Sequence, residues 1–249
     1  MENKENFSDT NLREQVEKVL NTEELAYPVR LVDFMLKNFD FKGLGAKLHY
    51  WDLIQIYELL DNSRVFPEKL NDNIWYQYIS AYLILPKMEE LININRFAWN
   101  SAVERCNNWT IKEAVRASLE LIKSPTLSNK VVESASMGST DSLTLNRINT
   151  VLSKKELSYP LSFLEINLRN LEIKIHYSYI ASMHTFLKSS GILPDEYNYN
   201  TWYRCIAAYI IAVYVNIDKL IELNKNGWTE SARRENAKLL LDADIITLL

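Results

Sequence analysis

The sequence predicts an all-α protein made of two homologous helical lobes that arose by internal duplication. Three observations lead there. The chain of 249 residues contains itself twice. Lys47-Leu48-His49-Tyr50 returns as Lys174-Ile175-His176-Tyr177, 127 positions later. The same offset takes Phe66-Pro67-Glu68 to Leu193-Pro194-Asp195, and Asn73-Ile74-Trp75-Tyr76 to Asn200-Thr201-Trp202-Tyr203. Glu24-Leu25-Ala26-Tyr27-Pro28 returns as Glu156-Leu157-Ser158-Tyr159-Pro160 at an offset of 132, and Trp109-Thr110 matches Trp228-Thr229 at 119. A period this long marks a repeated domain, not a solenoid repeat. Glycine is scarce, at 5 residues, where tight hairpins and phosphate loops would use it freely. No stretch alternates apolar and polar residues at period two, the mark of a half-buried strand.

These observations set lobes at 9–123 and 143–249, of about five to six helices each. A flexible linker at 124–142, rich in Ser with Thr, Pro, Asn and Gly, joins them. Each lobe is long enough to bury a core of its own.

The elements follow in order. Asp9 or Thr10 caps a first helix whose apolar stripe is Leu12, Val16, Val19 and Leu20. Pro28 suits the first turn of a second helix, where its missing N–H costs nothing. Gly43 and Gly45 break that helix. A third runs from about His49 to Leu60. One of Asn71, Asp72 and Asn73 caps a fourth, Ile74 to Leu85, which is apolar nearly all round and therefore buried. Pro86 ends or kinks it. Met88 to Cys106 reads as a fifth helix. Thr110-Ile111-Lys112-Glu113 has the form of a capping box and opens a sixth helix, ending near Lys123. In the second copy, Pro160 to Leu187 is either one long helix or two helices bent near Asn170 or His176. The apolar run Cys205 to Ile217 is too short to span a bilayer and reads as a core helix. Thr229 caps a terminal helix, Glu230 to Leu241.

Composition narrows the function. Apolar residues at 47% and charged residues at 24% are an ordinary globular balance. The net charge of −4 lacks the basic excess of most nucleic-acid-coating proteins. Cys106 and Cys205 fall at unrelated places in the two copies and form no disulfide framework. With no apolar leader at Met1 to Asn6, this leads us to expect a reducing, cytoplasmic setting. Three histidines and two unpaired cysteines are a poor supply of zinc ligands, and no nucleotide-binding glycine motif is present. No metal, cofactor, small-molecule ligand or membrane span is therefore expected.

Three functional readings remain. The favoured one is a non-enzymatic protein of macromolecular contact: a scaffold, adaptor, immunity or inhibitor protein, or structural subunit, with a protein partner or itself. The apolar end, Ile245, Ile246, Leu248 and Leu249, is its candidate contact. The second reading is nucleic-acid binding. Its candidate phosphate contacts are Arg96, Arg105, Lys112 and Arg116 in the first copy, and Arg204, Lys225, Arg233, Arg234 and Lys238 in the second. Two helical lobes on a linker resemble viral nucleocapsid proteins, which hold RNA in a groove between lobes. The third rests on Arg169-Asn170 followed by His176, which resembles the motif of HEPN ribonucleases, a family of small helical domains. That resemblance implies His176 as acid/base and Arg169 as stabiliser of a charged phosphate. Seven residues apart on one helix, the two would share a face.

Overall fold

A computed structural model describes residues 9–97, 99–123 and 142–241, with side chains from Leu12 onward. The described residues are helical and contain no strand. By contacts the chain divides into two compact units. The first comprises Met1–Leu48 and Asp52–Val132; the second comprises His49–Trp51 and Glu133–Leu249.

The first unit runs α1 (Asp9–Asn21), a 3₁₀ turn (Glu23–Leu25), α2 (Ala26–Lys37), the one-turn α3 (Phe41–Leu44) and α4 (Tyr50–Asn62). It continues with α5 (Asp72–Ile84), a 3₁₀ turn at Leu85–Lys87, α6 (Met88–Asn95) and α7 (Ser101–Lys123). At its centre α5 packs against α1, α2 and α7. It buries Trp75, Tyr76, Ile79, Ala81, Leu83 and Ile84, which is why it reads as apolar nearly all round. Asn71 provides its cap, accepting a hydrogen bond from Ile74 N at 3.0 Å.

The second unit runs α8 (Ser142–Ser153), a 3₁₀ turn (Lys155–Leu157), α9 (Ser158–Arg169), α10 (Tyr177–Ser189), α11 (Tyr199–Tyr214), α12 (Ile217–Asn224) and α13 (Glu230–Leu241). Here α11 is central, packed by α8, α9 and α10. Its core residues include Trp202, Tyr203, Ile206 and Ile210. The tripeptide His49–Trp51 belongs to this unit. There the Tyr50 hydroxyl donates to Ile173 O at 3.2 Å and accepts from Ile175 N at 2.6 Å. Trp51 meets Tyr197, Tyr199 and Trp202 edge-on. Contiguous lobe boundaries did not anticipate this exchange.

Two expectations are corrected, and of two alternatives for Pro160 to Leu187 the bent pair is found. Met88 to Cys106 is two helices, because Asn100 accepts from Ala102 N at 2.8 Å and Val103 N at 3.0 Å and so starts α7 afresh. Thr110 opens no helix. It lies inside α7, and its hydroxyl donates to Glu90 Oε1 at 3.3 Å. Pro160 to Leu187 is two helices. Between α9 and α10 the backbone turns through Leu171 at φ 59°, a left-handed position. Trp99-Asn100 and Trp228-Thr229 occupy like places. Both pairs stand just before the last helix of their unit, where Thr229 Oγ1 accepts from Ala232 N at 3.1 Å, as expected of a cap.

Candidate interaction surfaces

The HEPN-like pair is taken apart by the break between α9 and α10. Arg169 is the last residue of α9, and His176 immediately precedes α10. The Arg169 guanidinium is bound to Glu165 one turn back and lies over the rings of Tyr199 and Tyr203, at 5.0 and 5.5 Å. Lys37 ends α2 in the same way. It pairs with Asp33 at 2.9 Å and lies 5.3 Å from the Tyr76 ring. Each cation thus clamps its helix end to the aromatic start of its unit's central helix. His176 Nδ1 lies 2.9 Å from Ser178 Oγ. Its counterpart His49 donates from Nδ1 to the Arg169 carbonyl at 3.2 Å, since a carbonyl only accepts. The third histidine, His184, is buried and accepts from Trp202 Nε1 at 3.2 Å. Among the described residues, no three His, Cys, Asp or Glu side chains gather as a metal site.

The cationic candidates separate into paired and unpaired groups. Lys225 pairs with Glu222 at 3.4 Å, Arg234 with Glu230 at 3.2 Å, and Arg96 approaches Glu24 at 3.9 Å. Arg233 lies over the Tyr159 ring at 5.6 Å. Arg204 and Lys238 are exposed on α11 and α13. Among the described residues no ion pair joins Arg105, Lys112 or Arg116 to a carboxylate. The terminal candidates Ile245, Ile246, Leu248 and Leu249 lie outside the described residues.

The exposed tryptophans went unread in the sequence. Trp99, 52% exposed, meets the Tyr27 ring edge-on at 4.3 Å between centroids. Trp228, 40% exposed, stands 6.1 Å from Tyr159. Each pair joins the start of one helix, α2 or α9, to the residue two before the unit's last helix, α7 or α13. Arg233 lies over the Tyr159 ring of the second pair. Trp109, 65% exposed, lies on α7 and meets no other aromatic ring among the described residues. The signal available in the sequence was a Trp followed by a helix-capping residue, Trp99-Asn100 and Trp228-Thr229.

No protein-family model, curated protein or solved structure matches this chain.

Among the described residues, no helix is long and apolar enough to cross a membrane.

Proposed function

We propose that the chain is a non-enzymatic assembly protein, descended from a duplicated helical unit, whose two units offer the same aromatic contact to further copies of the chain. The observation that carries this is the pair of solvent-facing Tyr–Trp couples, Tyr27–Trp99 and Tyr159–Trp228, at matching places. Trp, Tyr and Arg are the side chains that carry most interface energy, and Arg233 lies over the Tyr159 ring of one couple. A half-exposed indole left facing water in both units is stabilised by a partner that covers it. Two equivalent contacts on one chain make it bivalent, so each copy can bridge two others.

The duplication is supported by local detail beyond the sequence match. Element order is shared apart from α3 and the 3₁₀ turn at Leu85–Lys87. The ends of α2 and α9 use the same hydrogen bonds, Asp40 N to Met35 O at 2.8 Å and Glu172 N to Asn167 O at 2.9 Å. Both pass through a left-handed residue without being glycine, Phe39 at φ 54° and Leu171 at φ 59°. The unpaired Cys106 and Cys205 support our placing the protein in the reducing cytoplasm.

Light scattering coupled to sizing tests the assembly reading. The wild-type mass should rise with concentration above that of one chain. Trp99→Ser or Trp228→Ser alone should limit the growth, and the double variant should be monomeric with an unchanged helical spectrum. A wild type that stays monomeric at every concentration would overturn the reading.

A further inference from the structure

One face of α7 in the first unit has a different character from the Tyr–Trp couples. Arg105, Trp109, Lys112 and Arg116 are spaced i, i+4, i+7 and i+11. At about 100° per residue they fall within roughly 60° of arc, along about 16 Å of helix. Arg105, Trp109 and Arg116 are exposed and Lys112 is half-buried. The acidic neighbours Glu104, Glu113 and Glu120 lie toward the sides of this arc, and Glu113 is drawn to Lys87 at 3.5 Å.

Two of the cations, Lys112 and Arg116, are held in place. Gly45 ends α3 in the left-handed region, at φ 69°. Its carbonyl accepts from Arg116 Nε at 3.1 Å. The methylene stem of Lys112 lies against its Cα, so closely that an added Cβ would stand 2.7 Å from Lys112 Cγ. Lys42 and Lys47, both exposed, bracket the same turn. The α3 turn has no counterpart in the second unit. It gives the first unit a preorganised group of cations around one projecting indole, while the chain as a whole carries a charge of −4.

We propose that this face binds single-stranded nucleic acid, with one base stacked on Trp109 and the flanking phosphates held by Arg105, Lys112 and Arg116. Charge complementarity selects the occupant. Unpaired guanidinium and ammonium groups match phosphates, and an isolated exposed indole offers a stacking surface to any base. A duplex already stacks its own bases and cannot use that indole without being opened. The site is the outer face of one helix in one unit, not a groove between lobes. It does not depend on the assembly contact.

Fluorescence anisotropy of labelled 12-nucleotide RNA and DNA strands, and of the matching duplex, tests this with the full chain. Both single strands should bind better than the duplex. Three phosphate contacts should give a log–log salt slope of about −2, roughly a fifteenfold loss between about 50 and 200 mM salt. Trp109→Ala should weaken binding about tenfold. Lys112→Glu with Arg116→Glu should abolish it, with helicity retained by circular dichroism. The Trp99→Ser/Trp228→Ser variant should bind as the wild type does, which separates failure of this site from failure of assembly. The proposal is overturned by any of three results: no single-strand binding at about 50 mM salt, a charge-reversed protein that binds normally, or loss of binding confined to the Trp99 and Trp228 variants.

Discussion

Asn95 and Asn107 exchange their side-chain amides. Asn95 Nδ2 donates to Asn107 Oδ1 at 2.8 Å, and Asn107 Nδ2 donates to Asn95 Oδ1 at 2.9 Å. The remaining donor of each goes to a carbonyl four residues back, Leu91 O at 2.8 Å and Val103 O at 3.1 Å. Asn224 and Asn236 repeat the arrangement, at 3.0 and 2.7 Å, with their other donors on Leu220 O and Ala232 O. In each unit this four-bond knot ties the last helix to the one before it. Every amide donor in it is used, the condition under which a buried polar pair specifies one arrangement.

Breaking one half of the knot strands the other. Asn236→Ala leaves the Asn224 amide, only 3% exposed, without its partner. The expected cost is about 1–3 kcal/mol, read as a lower thermal midpoint. Replacing both by Leu removes the unsatisfied group and should recover part of that loss. A single variant that melts with the wild type would show that the knot contributes nothing.

Stability should fall at alkaline pH. Burial pushes the Tyr82 hydroxyl up to about 12, and burial also raises that of Tyr50. In the unfolded chain a tyrosine ionises near 10. Above that pH the unfolded state releases its proton first, so ionisation favours unfolding. The contribution is fully present below about pH 10 and is lost as pH rises toward 12. Denaturant midpoints measured from pH 8 to 12 should decline more gently in Tyr82→Phe. Parallel profiles for the two proteins would contradict the assignment.

Gly45→Ala should lower stability by about 1–2 kcal/mol through its left-handed backbone alone. The new methyl would also press on Lys112, whose Cβ and Cδ are both 2.9 Å from its position. Lys112→Ala in the same background should relieve the contacts with Cγ and Cδ, and leave the contact with Cβ and the backbone cost. Chemical denaturation of the two single variants and the double variant gives the coupling directly, and additive losses would rule the contact out.

Much of the helical plan was legible because it depends on periodicity and caps that act within a few residues. Asn71 and Thr229 cap helices as their sequence contexts predict. Of the apolar run from Cys205 to Ile217, residues 205–214 lie in the central helix α11, while Ile217 opens α12. Failures came where a local pattern was satisfied by a distant partner. Thr110-Ile111-Lys112-Glu113 fits a capping box, yet Thr110 reaches Glu90 and Glu113 reaches Lys87, both outside α7. Asn100 looked like helix interior because the apolar spacing continued across it. The last two helices of each unit share an Asn pair twelve apart, Asn95 with Asn107 and Asn224 with Asn236, a spacing too long for a local pattern to flag. The candidate surface on α7 was half legible. Arg105, Lys112 and Arg116 were visible as cations, but Trp109 was spent on an alignment and Gly45 on a helix break.

The second unit takes His49, Tyr50 and Trp51 from a stretch of chain that otherwise belongs to the first. It is therefore not a continuous segment, and no single cut of the polypeptide releases it whole. A fragment beginning at Glu133 would lack the hydroxyl that holds Ile173 and Ile175, and the indole against which Tyr197 and Tyr199 rest. Anyone wishing to express the second unit by itself must graft that tripeptide back.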